Sequence, residues 1–283
     1  MIRHSKTQTC LIYGSALILA LLLLLPVLWL FIMSISSTRD LTSLPLAWIP
    51  TEASFGNYRD LVSNLDSSAA QSFLYALRNS LIVALCATGL SLLASIPAAY
   101  SLSRLPGKRR RGLLFAAIVT FMMPPVAIVL PLYSLMATLG LLNSHFALIA
   151  IYCGILVPFT TWLLKSNFDA IPMDLDEAPI IDGANRLQVI WHITLPIAKP
   201  AVGAAALMAV LMAWDEFFYA LLFTNDIRAK TLPVAIADFA AGRVADYGLI
   251  SAAGIMATIP PVLLAYFLQK SLVSGLMSGS VKG

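Results

Sequence analysis

Long stretches without charge alternate with short polar interruptions along the chain, and the lengths of those stretches carry the first inference. A helix needs about 20 mostly apolar residues to cross the hydrocarbon core of a bilayer. Residues 11–33 and 80–102 each meet that requirement without a charged side chain. From Gly112 to Leu164 the only side chain that can carry a basic charge is His145. That run is too long for one crossing, and the stretch GLLNS at 140–144 offers a turn that divides it into spans at 113–139 and 145–164. Further spans fit 200–224 and 247–269. The predicted fold class is an all-α integral membrane protein with six transmembrane helices. The first span is long and leucine-rich for a cleaved leader, although Ser34-Ile35-Ser36 keeps a cleavage site as the alternative.

Composition strengthens this reading. The 283 residues are 59% hydrophobic and 11% charged, with a mean hydropathy of +0.86. No water-soluble domain of this size needs so much apolar sequence. The net charge of +4 is modest, and its distribution says more. With the N-terminus inside, the inner segments carry Arg3, Lys6, Arg104, Lys108, Arg109, Arg110, Arg111, Lys165, Arg186, Lys199, Lys270 and Lys282. The outer segments carry Arg39, Arg59, Arg78, Arg228, Lys230 and Arg243. Cytoplasmic segments of membrane proteins favour Lys and Arg, and a bias of about two to one predicts that both termini are cytoplasmic. The run KRRR at 108–111 reads as a topology anchor in contact with membrane lipid, and no nucleic-acid partner is expected. Cys10, Cys86 and Cys153 lie in or beside apolar runs without CxxC spacing and read as small apolar residues.

Between the fourth and fifth spans the pattern changes. The stretch EAPIIDGANRLQVIWHITLPIAKPA begins at Glu177 and is polar, with glycine and prolines as punctuation. A plain connection between bundle helices takes only a few residues, and this one is far longer. Pro172 suits a first helical position, and Asp174, Asp176 and Glu177 suit a helix N-terminus. Leu175, Ala178 and Ile181 recur at helical spacing, and Gly183 supplies a left-handed stop. A second short helix fits Arg186 to Thr194, ending at Pro196. Two short amphipathic helices bent at a glycine form a knob whose apolar face needs a partner, either the membrane surface or another protein.

This stretch resembles the EAA loop of permease subunits of ATP-binding-cassette importers. That loop reads Glu-Ala-Ala, three residues, Gly, nine residues, then Ile-x-Leu-Pro. Glu177, Ala178, Gly183, Ile193, Leu195 and Pro196 fall on the pattern, and Asp182 adjoins the glycine. The departure is Pro179 in place of the second Ala. Proline is tolerated in the first helical turn, which places the expected helix start near Asp176. AAYSLSRL after the second span, PLYSLMATLGLLNS, AWDEFFYALLF, TLPVAIADF and the tail SGLMSGSVKG extend the resemblance to the carbohydrate-uptake branch, in the manner of the second permease of maltose transporters. The resemblance implies that residues 172–196 form a cytoplasmic coupling-helix loop docked on an ATPase subunit, with Glu177 paired to an arginine there. It also implies a sister permease, two ATP-binding subunits, an extracytoplasmic sugar-binding protein, a carbohydrate substrate and the bacterial inner membrane. The segment 225–247 would reach toward the binding protein, and the tail would lie between the ATPase subunits.

The chain has no GxxxxGK[ST] loop to cradle a phosphate, no HExxH, and only scattered His4, His145 and His192. No cofactor or metal is therefore expected in this chain, ATP and Mg being held by partner subunits, and the chain itself is not expected to be an enzyme. Asp215 and Glu216 fall deep in the fifth span, where ionisable residues normally face the bundle interior or a water-filled cavity. With Trp214 they are candidates to line the translocation path. The alternatives are a structural pair bonded to another helix, or a shorter span that leaves both at the interface. Other readings of the whole chain are an importer of polyols, glycerol-phosphate esters or polyamines, or an ion-coupled secondary transporter, against which the lack of a clear internal repeat argues.

Overall fold

The computed structural model describes residues 6–64, 67–241 and 246–280, and among them every regular element is helical. Arg3, Arg243 and Lys282 of the charge count lie outside the described residues, as do the side chains of Lys6, Cys10, Lys108, Arg109, Arg111 and the tail from residue 270. The helices are α1 (Lys6–Ile35), α2 (Thr38–Thr42), α3 (Gly56–Val62), α4 (Ser68–Arg104), α5 (Gly107–Met122), α6 (Pro125–Thr138) and α7 (His145–Phe168). They continue with α8 (Asp174–Ile181), α9 (Arg186–Val189), a π-helical turn Ile190–Thr194, α10 (Leu195–Ile197), α11 (Lys199–Trp214), α12 (Phe218–Phe223), α13 (Leu232–Ala240) and α14 (Tyr247–Ser280).

Among the described residues, four helical stretches are long and apolar enough to cross a membrane: Leu11–Ile35, Ser68–Arg104, His145–Phe168 and Tyr247–Gln269. Two bent pairs raise the number to as many as six. One pair, Gly112–Met122 with Pro125–Thr138, turns by 86° inside the third expected span. The cause is the Pro124-Pro125 dipeptide, since each proline drives the residue before it out of helical geometry. Met123 and Pro124 are both extended, with ψ of 127° and 128°. The fifth expected span is also divided. The 16 residues of α11 rise only about 24 Å at ~1.5 Å each, and α12 follows after a break at 215–217.

The chain forms two compact units. The first comprises Met1–Leu74 and Ala235–Ile259. Its leucine-rich α1 buries none of its most apolar window within the chain, so that surface is left for lipid or another subunit. At the end of α1, the Ser34 hydroxyl and the Tyr58 hydroxyl are 2.6 Å apart, and the Asn57 amide donates to the Ser34 carbonyl at 2.9 Å. The following loop is organised by buried Asp40, which accepts from the Thr51 and Ser37 hydroxyls at 2.9 Å each. Those donors hold its carboxyl below the usual carboxylate value, Thr51 contributing most. A Cβ at Gly248, where α14 starts, would sit 2.6 Å from the Asn57 amide nitrogen, so a larger residue there would have to displace that amide from the Ser34 carbonyl.

The second unit comprises Tyr75–Val234 and Pro260–Gly283. Its packing centre is α7, against which α5, α11 and α12 all pack. The buried face of α11 is alanine-rich, with Ala201, Ala204, Ala205, Ala209 and Ala213, and small residues let membrane helices approach closely. A cluster of Ile96, Tyr100, Leu164, Phe168, Val189, Ile190 and Ala205 joins the ends of α4 and α7 to the start of α11 and to the turn after α9. The turn expected at GLLNS falls between α6 and α7, where Asn143 adopts a left-handed φ of 59°.

Candidate functional site

The segment from 174 to 197 forms the bent knob that the apolar pattern required. Its first helix, α8, starts at Asp174, earlier than the Asp176 that Pro179 suggested, and Pro179 sits inside it. The helix tolerates the missing N–H because it is so short, and the Pro179 carbonyl is used at once in the stop signal. Gly183 N–H donates to the Ile180 carbonyl at 3.1 Å and Ala184 N–H to the Pro179 carbonyl at 2.9 Å. This pair of bonds is the Schellman arrangement, which needs a left-handed residue at the bend, and Gly183 has φ +91°.

The second arm opens on a capping box that the sequence reading overlooked. The Asn185 side chain accepts from Gln188 N–H at 2.9 Å, and the Gln188 side chain accepts from Asn185 N–H at 2.8 Å. The signal was present as N-R-L-Q, an N-cap residue followed three positions later by glutamine. The arm does not stop at Pro196 but runs to Ile197, through the π-helical turn Ile190–Thr194. A wider turn just before a proline makes room for its ring and reassigns the bond its nitrogen cannot donate. Leu195 N–H accordingly reaches back to Ile190. The chain then bends by 85° into α11.

Burial separates the motif residues into two sets. Leu195 is half-buried and packs on the cluster beneath the knob, and Ile193 is half-buried beside it. Glu177, Ala178, Asp182, Gly183 and Pro196 are exposed. So are Ile181 at 83%, Leu187 at 62% and Trp191 at 48%. The apolar surface of the knob therefore has no cover among the described residues. An open groove between its arms is lined by Pro179, Asp182, Gly183, Ala184, Gln188, His192 and Ile193.

Beneath the knob lie charged contacts that no local sequence signal marked. Arg104 Nε donates to Asp176 Oδ2 at 2.5 Å. Asp169, which follows α7, receives both Arg110 and Lys165.

At the other end of the second unit, the break after α11 is held by a carboxylate. Glu216 accepts the Tyr152 hydroxyl at 2.6 Å, Tyr219 N–H at 2.8 Å and Ala220 N–H at 3.2 Å. It therefore anchors the start of α12 to α7. Trp214 is buried, whereas Asp215 is exposed and, among the described residues, makes only a backbone bond, from its N–H to the Leu211 carbonyl. The break thus divides the three residues proposed for the path into a buried ring, an exposed carboxylate and a bonded one.

The loop after α12 is fastened by amide side chains. Asn79 donates to the carbonyls of Arg228 and Lys230 at 2.8 and 2.9 Å, and its oxygen lies 2.8 Å from His145 Nε2. Asn143 Oδ1 accepts from the N–H groups of Asn225 and Asp226. Asn79→Leu leaves two carbonyls and an imidazole without their partner, and is expected to cost about 2–4 kcal/mol. A thermal midpoint of the detergent-solubilised variant equal to that of the parent protein would contradict this.

The family model described as "Binding-protein-dependent transport system inner membrane component" matches residues 91–277. The sulfoquinovosyl glycerol transport system permease protein SmoH of Agrobacterium fabrum is 36% identical, over 92% of this chain and 89% of its own. The trehalose/maltose transport system permease protein MalG of Thermococcus litoralis is 34% identical over 99% of both chains. Among solved structures, a bacterial ABC transporter involved in import of the acidic polysaccharide alginate superposes with a TM-score of 0.74 at 24% identity, covering 95% of this chain and 99% of that one.

Proposed function

Because the chain belongs to the family of binding-protein-dependent transport system inner membrane components, we propose that it is the permease of an importer that moves a sugar or glycoside across the bacterial inner membrane. The family consists of transport permeases and not of enzymes. In this reading residues 11–33, 80–102, 113–139, 145–164, 200–224 and 247–269 cross the membrane, the third and fifth as broken spans. Both termini are cytoplasmic. ATP and Mg are bound by two partner ATPase subunits, a sister permease completes the path, and an extracytoplasmic binding protein delivers the cargo.

The observation that carries the coupling role is the uncovered apolar surface of the knob. Ile181, Leu187 and Trp191 lie on a segment whose other side is anchored to the chain. Burying such surface contributes about 25 cal/mol per Å², so a fitted cleft on a partner is the stabilising destination. Glu177 at the rim would meet a cation there, and Gly183 gives the bend that presents both arms. The names of the relatives support a sugar-derived cargo, and the alginate transporter solved with its periplasmic protein supports a binding-protein partner in general terms. Asp215 is the path residue in this reading, with the buried Trp214 packed beside it and Glu216 bonded at the break behind it.

Orientation is tested by labelling single cysteines in sealed cells. Arg59→Cys and Ala241→Cys are expected to react with an impermeant reagent from outside, and Gly183→Cys only after lysis. Reaction of Gly183→Cys in intact cells would invert the topology. Function is tested by ATP-driven uptake into vesicles bearing the whole complex, with trehalose, maltose and sulfoquinovosyl glycerol as probes. Uptake of polyols or polyamines in place of every glycoside offered would overturn the cargo assignment.

A further inference from the structure

We propose that Arg104 is a positioning residue, and that its bond to Asp176 is the pivot on which the knob turns. The proposal rests on the reading of residues 174–197 as the ATPase-docking segment, and goes beyond it by naming what holds that segment to the membrane helices. Apolar packing does not hold α8, because Leu175, Ile180 and Ile181 all face outward. Asp176 is the buried residue of α8, at 5% exposure. Its carboxylate is bonded to the last residue of α4.

The same guanidinium ties further elements together. Arg104 Nη1 donates to the carbonyl of Phe168, which ends α7, at 3.3 Å and to that of Ile171 at 3.2 Å. Its plane lies over the Tyr100 ring, 5.6 Å from the centroid. A cation suits these positions because the last carbonyls of α4 and α7 carry partial negative charge. A planar group with five donors can serve a carboxylate and two carbonyls at once, which an ammonium cannot do in this geometry.

The bond is also half of a larger one. Nε and Nη2 form one edge of the guanidinium and can grip both oxygens of a carboxylate. Here Nε holds Oδ2, while Arg104 Nη2 and Asp176 Oδ1 are both buried and, among the described residues, do not meet each other or another partner at full hydrogen-bond geometry, the Tyr100 hydroxyl lying close to the carboxylate. A rotation of α8 that brings Oδ1 to Nη2 completes the fork without breaking the existing bond. The contact is therefore suited to bear a moving helix, and it leads that movement directly into α4 and α7.

The test places a spin label at Asp174→Cys, an exposed position in the first turn of α8, with Cys10, Cys86 and Cys153 changed to serine, in the purified four-subunit membrane complex and in this chain alone. Asp176→Asn and Arg104→Lys are expected to broaden the orientation of the label and to lower ATP-driven uptake by about tenfold or more, while more ATP is hydrolysed per cargo molecule. Asp176→Glu keeps the carboxylate and is expected to restore both readouts to within a few fold of the parent. Unchanged label spectra and uptake in both disruptive variants would overturn the pivot. So would an Asp176→Glu protein as impaired as Asp176→Asn. The label spectrum of the isolated chain needs no partner, so a parent complex without ATP-driven uptake would defeat the importer reading while leaving the pivot separately tested.

Discussion

Glu216→Leu is expected to be the most damaging single substitution within the membrane region, with loss of about 3–5 kcal/mol and failure to assemble with the sister permease. Three donors converge on that carboxylate: the buried Tyr152 hydroxyl and the first free N–H groups of α12. Leucine satisfies none of them, and the Tyr152 hydroxyl sits on a buried side chain. Glu216→Gln keeps one acceptor oxygen and is expected to lose only about 1–2 kcal/mol. Asp215→Leu provides the contrast. Its carboxylate is exposed, so assembly is expected to persist while uptake falls. Co-purification of the membrane complex, measured beside uptake for each variant, separates the two roles. An assembled and fully active Glu216→Leu complex would mean that the break at 215–217 needs no carboxylate.

The second large effect is expected at the rim of the knob. Glu177→Ala should leave the chain in the membrane at normal abundance and lower coupled uptake by about tenfold to a hundredfold, the range that loss of one charge-assisted bond of ~1.5–3 kcal/mol produces. Gly183→Val should act similarly for a different reason. Its φ of +91° suits glycine, and a β-branched side chain opposes it although no neighbouring atom lies within 4 Å. The added strain shifts the bend instead of creating a clash. Normal uptake with normal substrate-stimulated ATPase activity in both variants would remove the docking role.

Much of this architecture was legible in the sequence because apolar run length is a direct physical requirement of the bilayer. The expected spans at 11–33, 80–102, 145–164 and 247–269 each fall within an apolar helix long enough to cross, although the helix around 80–102 starts earlier, at Ser68. The knob was legible because Gly183 and the spacing to Pro196 are backbone signals. The breaks were harder to read. Pro124-Pro125 interrupts a helix, whereas Pro260 and Pro261 lie inside α14, which continues through them. The same dipeptide thus has two outcomes, and the surroundings decide between them. The carboxylate at the break 215–217 is bonded to Tyr152, which is remote from it in sequence. Arg104 and Asp176 are likewise joined by folding alone, so neither residue type nor spacing announces their bond.

The uncovered surface of the knob also bears on how the cell keeps account of its subunits. A copy of the chain made without its ATPase would display Ile181, Leu187 and Trp191 to water, and exposed apolar surface of that kind invites aggregation and chaperone capture. In the proposed assembly the same residues would be covered. On the docking role proposed above, the same segment would serve, before assembly, as a mark by which proteases distinguish orphans from completed complexes. The steady-state amount of the permease would then follow the supply of its partner more closely than the rate of its own synthesis.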